Sequence, residues 1–343
     1  MKPRLIAHID GIEMNILEMQ LVKSGYREPS SCIITVLNNQ CKLNEIFNDY
    51  NPISVQLFYK DELLKGLNSW QQVFDGLADV SNPVISMDKS TMVFECRSRL
   101  ALLQDDTITR KWEKVYLHTL IEDLVGKQFE IEFKIPNFYI GDHLMEEKSR
   151  LEEINHFAEL FGCITCLLPG NKFYFGQYNQ GKQWIYQFLN NYPRTQELRN
   201  ANINEHISIR HMKAMFPQNK VIVEKRNEDK SIYKGIATSA IARTAGTRKP
   251  HNVDHKYLTS NDMAQKIADF MLWKLERQYI TLELQTYGLP FLEPEWVIDL
   301  ANYKGYEGLY WIKQVTTTYD GSAFISNITA HTRNPKERFN ASI

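Results

Sequence analysis

The chain has 343 residues, in which 40 Lys and Arg balance 41 Asp and Glu for a formal net charge of -1. This balance argues against a protein that coats nucleic acid, because such domains usually carry a large basic excess. The hydrophobic share of 43% and a length of two or three ordinary domains indicate globular units with cores of their own. Aromatic residues are frequent, with 17 Tyr, 17 Phe and 6 Trp, which favours β-sheet or broad contact surfaces over a helical bundle.

The cysteines and the hydropathy of the chain bear on its compartment. An odd, sparse set of cysteines does not form a disulfide framework, which favours folding in a reducing cytoplasm. The N-terminus lacks the long apolar core of a signal peptide, and no stretch reaches the 18 apolar residues of a membrane span. We therefore expect a soluble protein with no membrane insertion. The five cysteines are Cys32, Cys41, Cys96, Cys163 and Cys166.

The first hundred residues predict a small antiparallel β-barrel or sandwich. Short segments rich in β-branched and aromatic residues alternate with turn formers such as Asn38-Asn39 and Ser81-Asn82-Pro83. Several short strands at this spacing are typical of barrels and sandwiches. The predicted strands are Ser31–Leu37, Ile53–Tyr59, Val73–Val80 and Thr91–Arg97.

From residue 101 to residue 200 the hydrophobic period changes, and the pattern predicts an α+β module. Ser149 and Glu152 form a capping box at the start of the clearest helix, which Gly162 ends. The predicted order is helix, strand, helix, hairpin, with the hairpin turning at Pro169-Gly170-Asn171. The segments are Val115–Val125, Phe129–Ile135, Leu151–Phe161, Cys163–Leu168 and Lys172–Gly176.

Residues 201–343 return to strands and hold one long helix. Thr259 and Asp262 are predicted to cap a helix over Asn261–Tyr279, whose apolar residues recur at helical spacing. The pattern predicts a β-meander after this helix, so the expected fold is α+β and mostly β, with two strand-rich stretches on either side of an α+β module. The predicted strands are Ile203–His211, Lys220–Lys225, Ile232–Ser239, Ile280–Tyr287, Trp296–Leu300, Gly308–Tyr319 and Ala323–His331.

Two groups of residues invite a metal or redox interpretation. Cys163 and Cys166 form a C-x-x-C, but a redox pair should open a helix and a zinc site needs a second pair nearby. This pair instead follows a helix-ending glycine, which favours two small side chains in a hairpin strand. His251, Asp254 and His255 could share one face of a helix, yet Pro250 precedes them and a solvated connection is the favoured interpretation.

The remaining histidines and the pairs of adjacent acidic residues only weakly indicate a catalytic or metal-binding site. His206 and His211 are five residues apart around a strand and do not converge. The acidic pairs suit turns and the first turn of a helix better than a glycosidase cleft. The chain has no G-x-S-x-G, H-E-x-x-H or P-loop motif, so we assign no catalytic, cofactor-binding or metal-binding residues. The acidic pairs are Asp105-Asp106, Glu146-Glu147 and Glu152-Glu153.

One segment is locally basic. Residues 220–256 contain nine Lys or Arg against four acidic residues, a local excess of +5. A single-strand nucleic-acid site would interleave aromatic side chains with these charges, and only Tyr233 and Tyr257 do so. A solvated or subunit-facing loop is the favoured interpretation.

The succession of motifs resembles one family. The run Phe74-Asp75-Gly76-Leu77-Ala78-Asp79-Val80 and the later Met92–Asp106 are similar to the "F-x-G-Y-[IV]-D-D-V … V-x-G-R-x-x-T-x-x-L-x-D" stretch of Mu-like contractile-tail phage hub proteins. Ala158-Glu159-Leu160-Phe161-Gly162 is similar to the "A-x-x-x-G" helix end of that family, and Trp296–Thr316 to its C-terminal strands. The family includes the late control protein D group and the hub part of type VI spike proteins.

The resemblance implies a ring. Hub proteins of this type are homotrimers in which each subunit supplies two small barrels, so that three chains match a hexameric tail tube. The resemblance therefore implies that the two strand-rich stretches of this chain are small antiparallel barrel domains with the α+β module between them. The implied function is a structural baseplate hub without enzymatic activity, which joins the tail tube protein to the central spike and contacts other baseplate proteins. The ring would leave a channel for DNA in transit or for the tape-measure protein. The implied location is the virion tail baseplate, assembled in the bacterial host cytoplasm.

Two alternatives stay open at this point. The chain could be the hub of a phage-derived bacteriocin or injection apparatus, which has the same parts. From a different class, it could be a tail-associated cell-wall hydrolase, which would need a carboxylate or metal site.

Overall fold

The computed structural model describes residues 4–25, 28–47, 53–61, 69–85, 90–168, 172–177, 185–189, 207–214, 218–244, 249–301, 303 and 305–332. In these residues strands predominate, and short helices lie mainly in the middle of the chain. The helices are α1 (Lys42–Ile46), α2 (Ala101–Asp105), α3 (Leu117–Val125), α4 (Arg150–Leu160), α5 (Ala240–Thr244) and α6 (Asn261–Arg277). The strands are β1 (Arg4–Ile9), β2 (Ile12–Ser24), β3 (Ser31–Leu37), β4 (Ile53–Lys60), β5 (Gln71–Ile85), β6 (Ser90–Ser98), β7 (Thr107–Tyr116), β8 (Glu130–Lys134), β9 (Tyr139–Ser149), β10 (Ile164–Leu168), β11 (Lys172–Gly176), β12 (Ile185–Leu189), β13 (Ser208–Ala214), β14 (Lys220–Arg226), β15 (Ile232–Thr238), β16 (Pro250–Asp254), β17 (Ile280–Tyr287), β18 (Val297–Ala301), β19 (Gly308–Tyr319) and β20 (Phe324–Thr332).

The first six strands form a closed antiparallel barrel. Their order is β1-β4-β5-β6-β3-β2, and β2 pairs back to β1. Period-2 alternation decides which side chains enter the barrel: on β4, Val55, Leu57 and Tyr59 are fully buried while the residues between them are half-buried. These side chains meet those of the other strands in one apolar core.

A second sheet continues from the barrel. The long β19 pairs with β2 through six residues, Gln314–Tyr319 opposite Met19–Ser24, and with β18 and β20 on its own side. The described strands of this sheet follow the order β12-β18-β19-β20-β17-β13, with a separate apolar core of Leu, Ile and Tyr side chains. The two β units of the chain are therefore joined side by side through backbone pairing between β2 and β19.

The middle of the chain forms a third body of smaller sheets and helices. The β7–β9 pair and the sheets β10-β11-β8 and β15-β14-β16 surround α3, α4 and α6. One core unites residues 100–175 with residues 221–271. Gly162, with a φ of +68°, ends α4 where the chain meets α6, and a Cβ there would lie 2.7 Å from the backbone nitrogen of Met271.

The predicted fold class is confirmed: the chain is α+β, mostly β, and contains a small antiparallel barrel. Among the described residues no pairing closes the second sheet, so its completion as a barrel stays a prediction. The predicted domain boundaries, 1–100, 101–200 and 201–343, also stay a prediction.

Several local predictions are corrected by the structure. The cap of α6 is Ser260, whose hydroxyl accepts from the Met263 amide, and not Thr259. The predicted break at Ser81-Asn82-Pro83 is wrong, because β5 runs through it. Pro83 lies beyond Ala78, the last β5 residue paired with β4, so its missing N–H removes no ladder bond on that side.

Other elements match their predictions or lie outside the described residues. The capping box of Ser149 and Glu152 is present in both directions at the start of α4. Strands β10 and β11 pair antiparallel as the hairpin predicts, but its turn at residues 169–171 is outside the described residues. In the part of the chain that the structure describes, no helix is long and apolar enough to cross a membrane.

Candidate functional site

The C-x-x-C lies in the core. Cys163 is fully buried against the middle core, and Cys166 is buried beside Tyr174 and Trp311 where the β10 hairpin meets the second sheet. Burial raises the pKa of the Cys163 thiol to about 12, and it also raises the pKa of Cys166. A thiol with so high a pKa is a poor nucleophile and a poor metal ligand at neutral pH.

The histidine group lies on a strand. The interpretation of residues 251–255 as a solvated connection is wrong, because β16 pairs in parallel with β14 and His255 behind it is fully buried. The prediction failed because the partner strand is about thirty residues away in sequence. Burial lowers the pKa of His255 to about 4. Across the described residues no three His, Cys, Asp or Glu side chains form a group able to hold a metal ion.

His206 lies outside the described residues, and for His211 only the backbone is described, in β13. The acidic pairs divide by environment. Glu152 caps α4, while its neighbour Glu153 is almost completely buried, which the sequence did not predict. A cleft of about 370 Å³ contains Asp105, Glu147 and Glu152, all with exposed or ion-paired carboxylates.

The motif residues of the first barrel form a charged joint between the barrel and the middle of the chain. The Arg97 guanidinium on β6 donates to both carboxylate oxygens of Asp79 on β5, at 2.5 and 2.8 Å, and to both of Asp105 on α2, at 3.0 and 2.8 Å. Arg99 forms a second two-point contact with Asp75. Such forked contacts fix orientation as well as distance, so they hold α2 against the barrel wall.

Gly76 lies inside this joint. A Cβ at this position would lie 2.2 Å from the carbonyl oxygen of Arg97 and 2.7 Å from the ring of Phe74. The glycine of the motif is therefore required for the close approach of β5 and β6 at the charged joint. This explains in physical terms why the motif combines a glycine with aspartate and arginine.

A buried polar network crosses the middle core. The Tyr257 hydroxyl lies 2.8 Å from Nδ1 of His143, and Nε2 of that histidine lies 2.9 Å from Glu153. Lys148 donates to the other oxygen of the carboxylate at 3.2 Å. Burial acts to raise the pKa of Glu153, but the contacts with His143 and Lys148 together outweigh it, and the pKa is lowered. The network joins β9, α4 and the segment before α6.

Buried charges also mark the joint between the barrel and the second sheet. Lys23 on β2 is buried and donates to Glu293, which precedes β18. Burial lowers the pKa of Lys23 and raises that of Glu293, so burial favours the neutral form of each group. The contact between the two side chains favours the charged forms. Gly25 directly follows β2 and packs on Pro294. A Cβ added to Gly25 would lie 2.7 Å from the proline ring.

A third group of buried charges lies beneath the second sheet. The guanidinium of Arg277 on α6 is buried, 3.9 Å above the ring of Trp273 and over that of Trp311. Nearby Glu295 is 5% exposed, and burial raises its pKa to about 8, against the pull of Arg277 and Lys274. Among the residues that the structure describes, neither oxygen of this carboxylate has a hydrogen-bond partner.

The basic segment is a sheet and not a loop. Residues 220–254 hold β14, β15 and β16, whose inner face packs on α6. Part of its charge is neutralised, because Lys234 pairs with Glu224 at 3.2 Å across the strands. Lys225 keeps its charge and donates to the carbonyl of Leu258. We therefore correct the loop interpretation, since cross-strand pairing explains the alternating charges.

An apolar strip crosses the outside of the barrel. It consists of outward or terminal side chains on three neighbouring strands, and Leu37 on β3 and Val84 on β5 stand opposite the same residue of β6, Thr91. Thr91 lies between Leu37 and Val84, and Ile85 pairs with Ser90 on the other face of β5. Exposed apolar side chains that are separated in this way are common on monomeric proteins. The members of the apolar strip are Ile33, Leu37, Val84, Ile85 and Val93.

Three joints with buried or forked charges hold the barrel, the middle body and the second sheet together. Sequence reasoning missed the network around Glu153 and the buried Glu295, since neither occupies a motif and both are buried by distant segments. The charged joint had a signal, the motif itself, although its pairing became visible only in the structure.

The fold is similar to those of solved phage tail proteins. A tail protein from Neisseria meningitidis superposes with a TM-score of 0.71 at 11% identity, covering 97% of each chain. A 43 kDa tail protein of prophage MuSo2 from Shewanella oneidensis gives a TM-score of 0.62 at 11% identity, covering 95% of this chain and 97% of that one.

A secretion protein shows the same similarity. An E. coli component of the type VI secretion system, described as structurally similar to the T4 tail proteins gp27 and gp5, gives a TM-score of 0.63 at 10% identity. That match covers 96% of this chain and 77% of the other. No family model and no curated protein matches the sequence. The chain thus has the fold of phage tail proteins, which confirms at the level of fold the resemblance carried by its motifs.

Proposed function

We propose that the chain is a structural baseplate hub of a contractile phage tail. Three copies form a pseudo-sixfold ring that joins the tail tube protein to the central spike and leaves a channel for DNA in transit or the tape-measure protein. The ring also contacts other baseplate proteins, lies in the virion tail baseplate and is assembled in the bacterial host cytoplasm. The chain acts without catalysis or cofactors.

The observation that carries the proposal is the lateral pair of β units in one chain. Six residues of β2 pair with six of β19, so that the barrel and the second sheet stand side by side. Three such chains supply six β units, the number needed to match a hexameric tube. Similarity over 97% of the length of a solved tail protein supports this use of the fold.

The rigid joints fit this role. A ring between tube and spike must transmit force without changing shape, and forked arginine contacts fix the orientation of the bodies that they link. The charged joint of Arg97, Asp79 and Asp105 ties the barrel to the middle body. Lys23 and Glu293 tie the barrel to the second sheet.

A second candidate is the hub of an injection apparatus or phage-derived bacteriocin. The observation that favours it is the similarity to a type VI secretion component, at a TM-score of 0.63 over 96% of this chain. Both candidates use the same ring, and the genes beside this one distinguish them: capsid and terminase genes indicate a phage.

Native mass measurement of the purified chain tests the proposal, followed by electron microscopy of the particles. We expect a trimer with a central channel. A chain that stays monomeric at high concentration would refute the ring. A clear lytic band on a peptidoglycan zymogram would instead support a cell-wall hydrolase and contradict a purely structural role.

A further inference from the structure

Two cysteines face each other inside the first barrel. Cys32 on β3 stands directly opposite Cys96 on β6 in the antiparallel pairing of these strands. Residues opposite each other in such a pair project from the same face of the sheet. Both side chains are almost completely buried, at 0% and 2% exposure, and belong to the core of the barrel. Strand register therefore brings together two free thiols that lie far apart in sequence.

The hydrogen bonds between the two strands define the spacing of this pair. The Ser98 amide donates to the carbonyl of Ser30 directly opposite, so these two residues form a hydrogen-bonded pair. Such pairs alternate along an antiparallel ladder, and Cys32 and Cys96 are the next one, with Cα atoms about 5.5 Å apart. Disulfides span Cα separations of about 4.4–6.8 Å, so the two cysteines can be bridged. Their Cβ atoms lie at the wide end of the cross-strand range, so the bridge would be strained and easily reduced.

A polar cavity leads towards the two thiols. It has a volume of about 290 Å³ and lies between the barrel, the end of β10 and the segment before β18. Ser30 and Ser98 line this cavity, and they stand about 7 Å along the strands from the cysteines, on the same face. The Lys23 amine and the Glu293 carboxylate also belong to its wall, which is therefore hydrophilic. A small polar oxidant fits into such a space.

Burial makes both thiols slow to react. It raises the pKa of each, to about 12 for Cys96, and a thiol must lose its proton before it attacks an oxidant. The proximity of Cys96 raises the pKa of Cys32 further, while the nearby Lys23 ammonium acts in the opposite direction. Oxidation therefore needs an agent small enough to approach through the cavity and local opening of the two strands.

We propose that Cys32 and Cys96 are a site of reversible disulfide formation, which hydrogen peroxide reaches through the polar cavity. One thiolate attacks a peroxide oxygen and becomes a sulfenic acid, while the leaving hydroxide takes up a proton and becomes water. The sulfur of the second thiol displaces the hydroxyl group of the sulfenic acid, which forms the S–S bond and releases another water. Two thiols and one peroxide thus give one disulfide and two waters. The site depends on strand register and not on the proposed ring.

The second pair of cysteines gives an internal comparison. Cys163 directly precedes β10 and Cys166 lies on it, but their side chains belong to two different cores. Residues three apart on a strand face opposite sides, so these thiols do not meet. We expect peroxide to form no disulfide between them.

Peptide mapping of the folded chain tests the proposal. Trypsin leaves Cys32 and Cys41 in one peptide, so the experiment uses a Cys41→Ala background, which keeps four of the five cysteines. The protein is treated with hydrogen peroxide at mildly alkaline pH without denaturant, and the remaining thiols are then alkylated before digestion. We expect one disulfide-linked peptide pair that contains Cys32 and Cys96, and recovery of both thiols with dithiothreitol. If both thiols stay free, or if either becomes a sulfinic acid without a linked peptide, the proposal is overturned.

A larger oxidant tests the route through the cavity. Oxidised glutathione is too large to enter, so it should oxidise the folded pair roughly tenfold more slowly than peroxide, each rate taken relative to the urea-unfolded chain. Equal relative rates would overturn the cavity as the route.

Matched variants separate this site from general oxidation. In the same background Cys163→Ala should still form the linked peptide, whereas Cys32→Ala should form no disulfide. Circular dichroism verifies that each variant is folded. A disulfide that persists in Cys32→Ala would assign the bond to other cysteines and overturn the proposal.

Discussion

Glu153 shows how one buried carboxylate can hold distant segments together. Its two oxygens contact His143 and Lys148, and the histidine in turn contacts Tyr257. Glu153→Gln removes the charge on which both basic partners depend. We expect a loss of about 2–4 kcal/mol in the free energy of unfolding, measured by urea denaturation.

The neighbouring residue gives a matched control for this substitution. Glu152→Gln makes the same chemical change one position earlier, and Gln also completes a capping box. Its free energy of unfolding should stay within about 0.5 kcal/mol of the wild type. Equal effects of the two variants would mean that the buried contacts contribute nothing of their own.

The buried carboxylate of Glu295 predicts that the stability of the fold depends on pH. Burial raises its pKa to about 8, so the folded chain keeps a proton that the unfolded chain has lost above its ordinary pKa. Stability from this group is therefore complete at acidic pH and falls as the pH rises towards 8. Glu295→Gln should match the wild type at low pH and become relatively more stable with rising pH, as thermal unfolding at several pH values would show. A constant difference between the two proteins would contradict this assignment.

His331 predicts destabilisation by acid. Burial, with Lys313 and Arg277 nearby, lowers its pKa to about 4. The unfolded chain takes up a proton near the ordinary histidine pKa while the folded chain does not. Stability therefore falls as the pH decreases from that value to about 4. In His331→Gln the slope of unfolding free energy against pH should decrease in this window, by up to about 1.4 kcal/mol per pH unit.

Among the elements, α4 is stabilised by its own first turn. The Ser149 hydroxyl accepts from the Glu152 amide, and the Glu152 carboxylate accepts from the Ser149 amide. Ser149→Ala removes half of this exchange and should cost about 1 kcal/mol in urea denaturation. Ser149→Thr keeps the hydroxyl and should retain most of the stability; a threonine variant as weak as the alanine one would place the effect in packing.

The success of the sequence predictions follows the range of the interactions. The helices α3, α4 and α6 were predictable because apolar spacing and caps lie within one segment. The strands β1, β2, β7 and β9 were not predicted, since their formation depends on partners elsewhere in the chain. For the same reason residues 250–254 looked like a loop, and only the distant β14 makes them a strand.

The charged joint and the apolar strip also differ in how far the sequence predicts them. The motif around Gly76 was visible in the sequence, and it became the charged joint. The apolar strip was not visible, because its members come from β3, β5 and β6 and meet only through strand register. Side chains that come near one another only through strand register have no sequence motif of their own.

At the scale of the whole molecule, the basic and acidic residues are nearly equal in number, and acidic side chains also stand among the lysines of the basic sheet. The basic sheet has a row in which Lys234 of β15 stands opposite Glu224 of β14, which itself stands opposite Asp254 of β16. Lys266 on α6 likewise pairs with Asp262 at 2.8 Å. A channel that DNA crosses should not retain it, because each phosphate neutralised by a lysine or arginine adds affinity through counterion release.

This balance predicts that the purified protein does not bind DNA at about 150 mM salt, measured by electrophoretic mobility or fluorescence anisotropy. The sheet also offers a positive control, since Glu224→Lys with Asp254→Lys turns the mixed row into three adjacent lysines. That variant should gain salt-dependent binding while keeping the fold, because all three side chains are exposed. Tight binding by the unmodified chain would contradict a channel for passage and indicate that the basic sheet is a nucleic-acid surface.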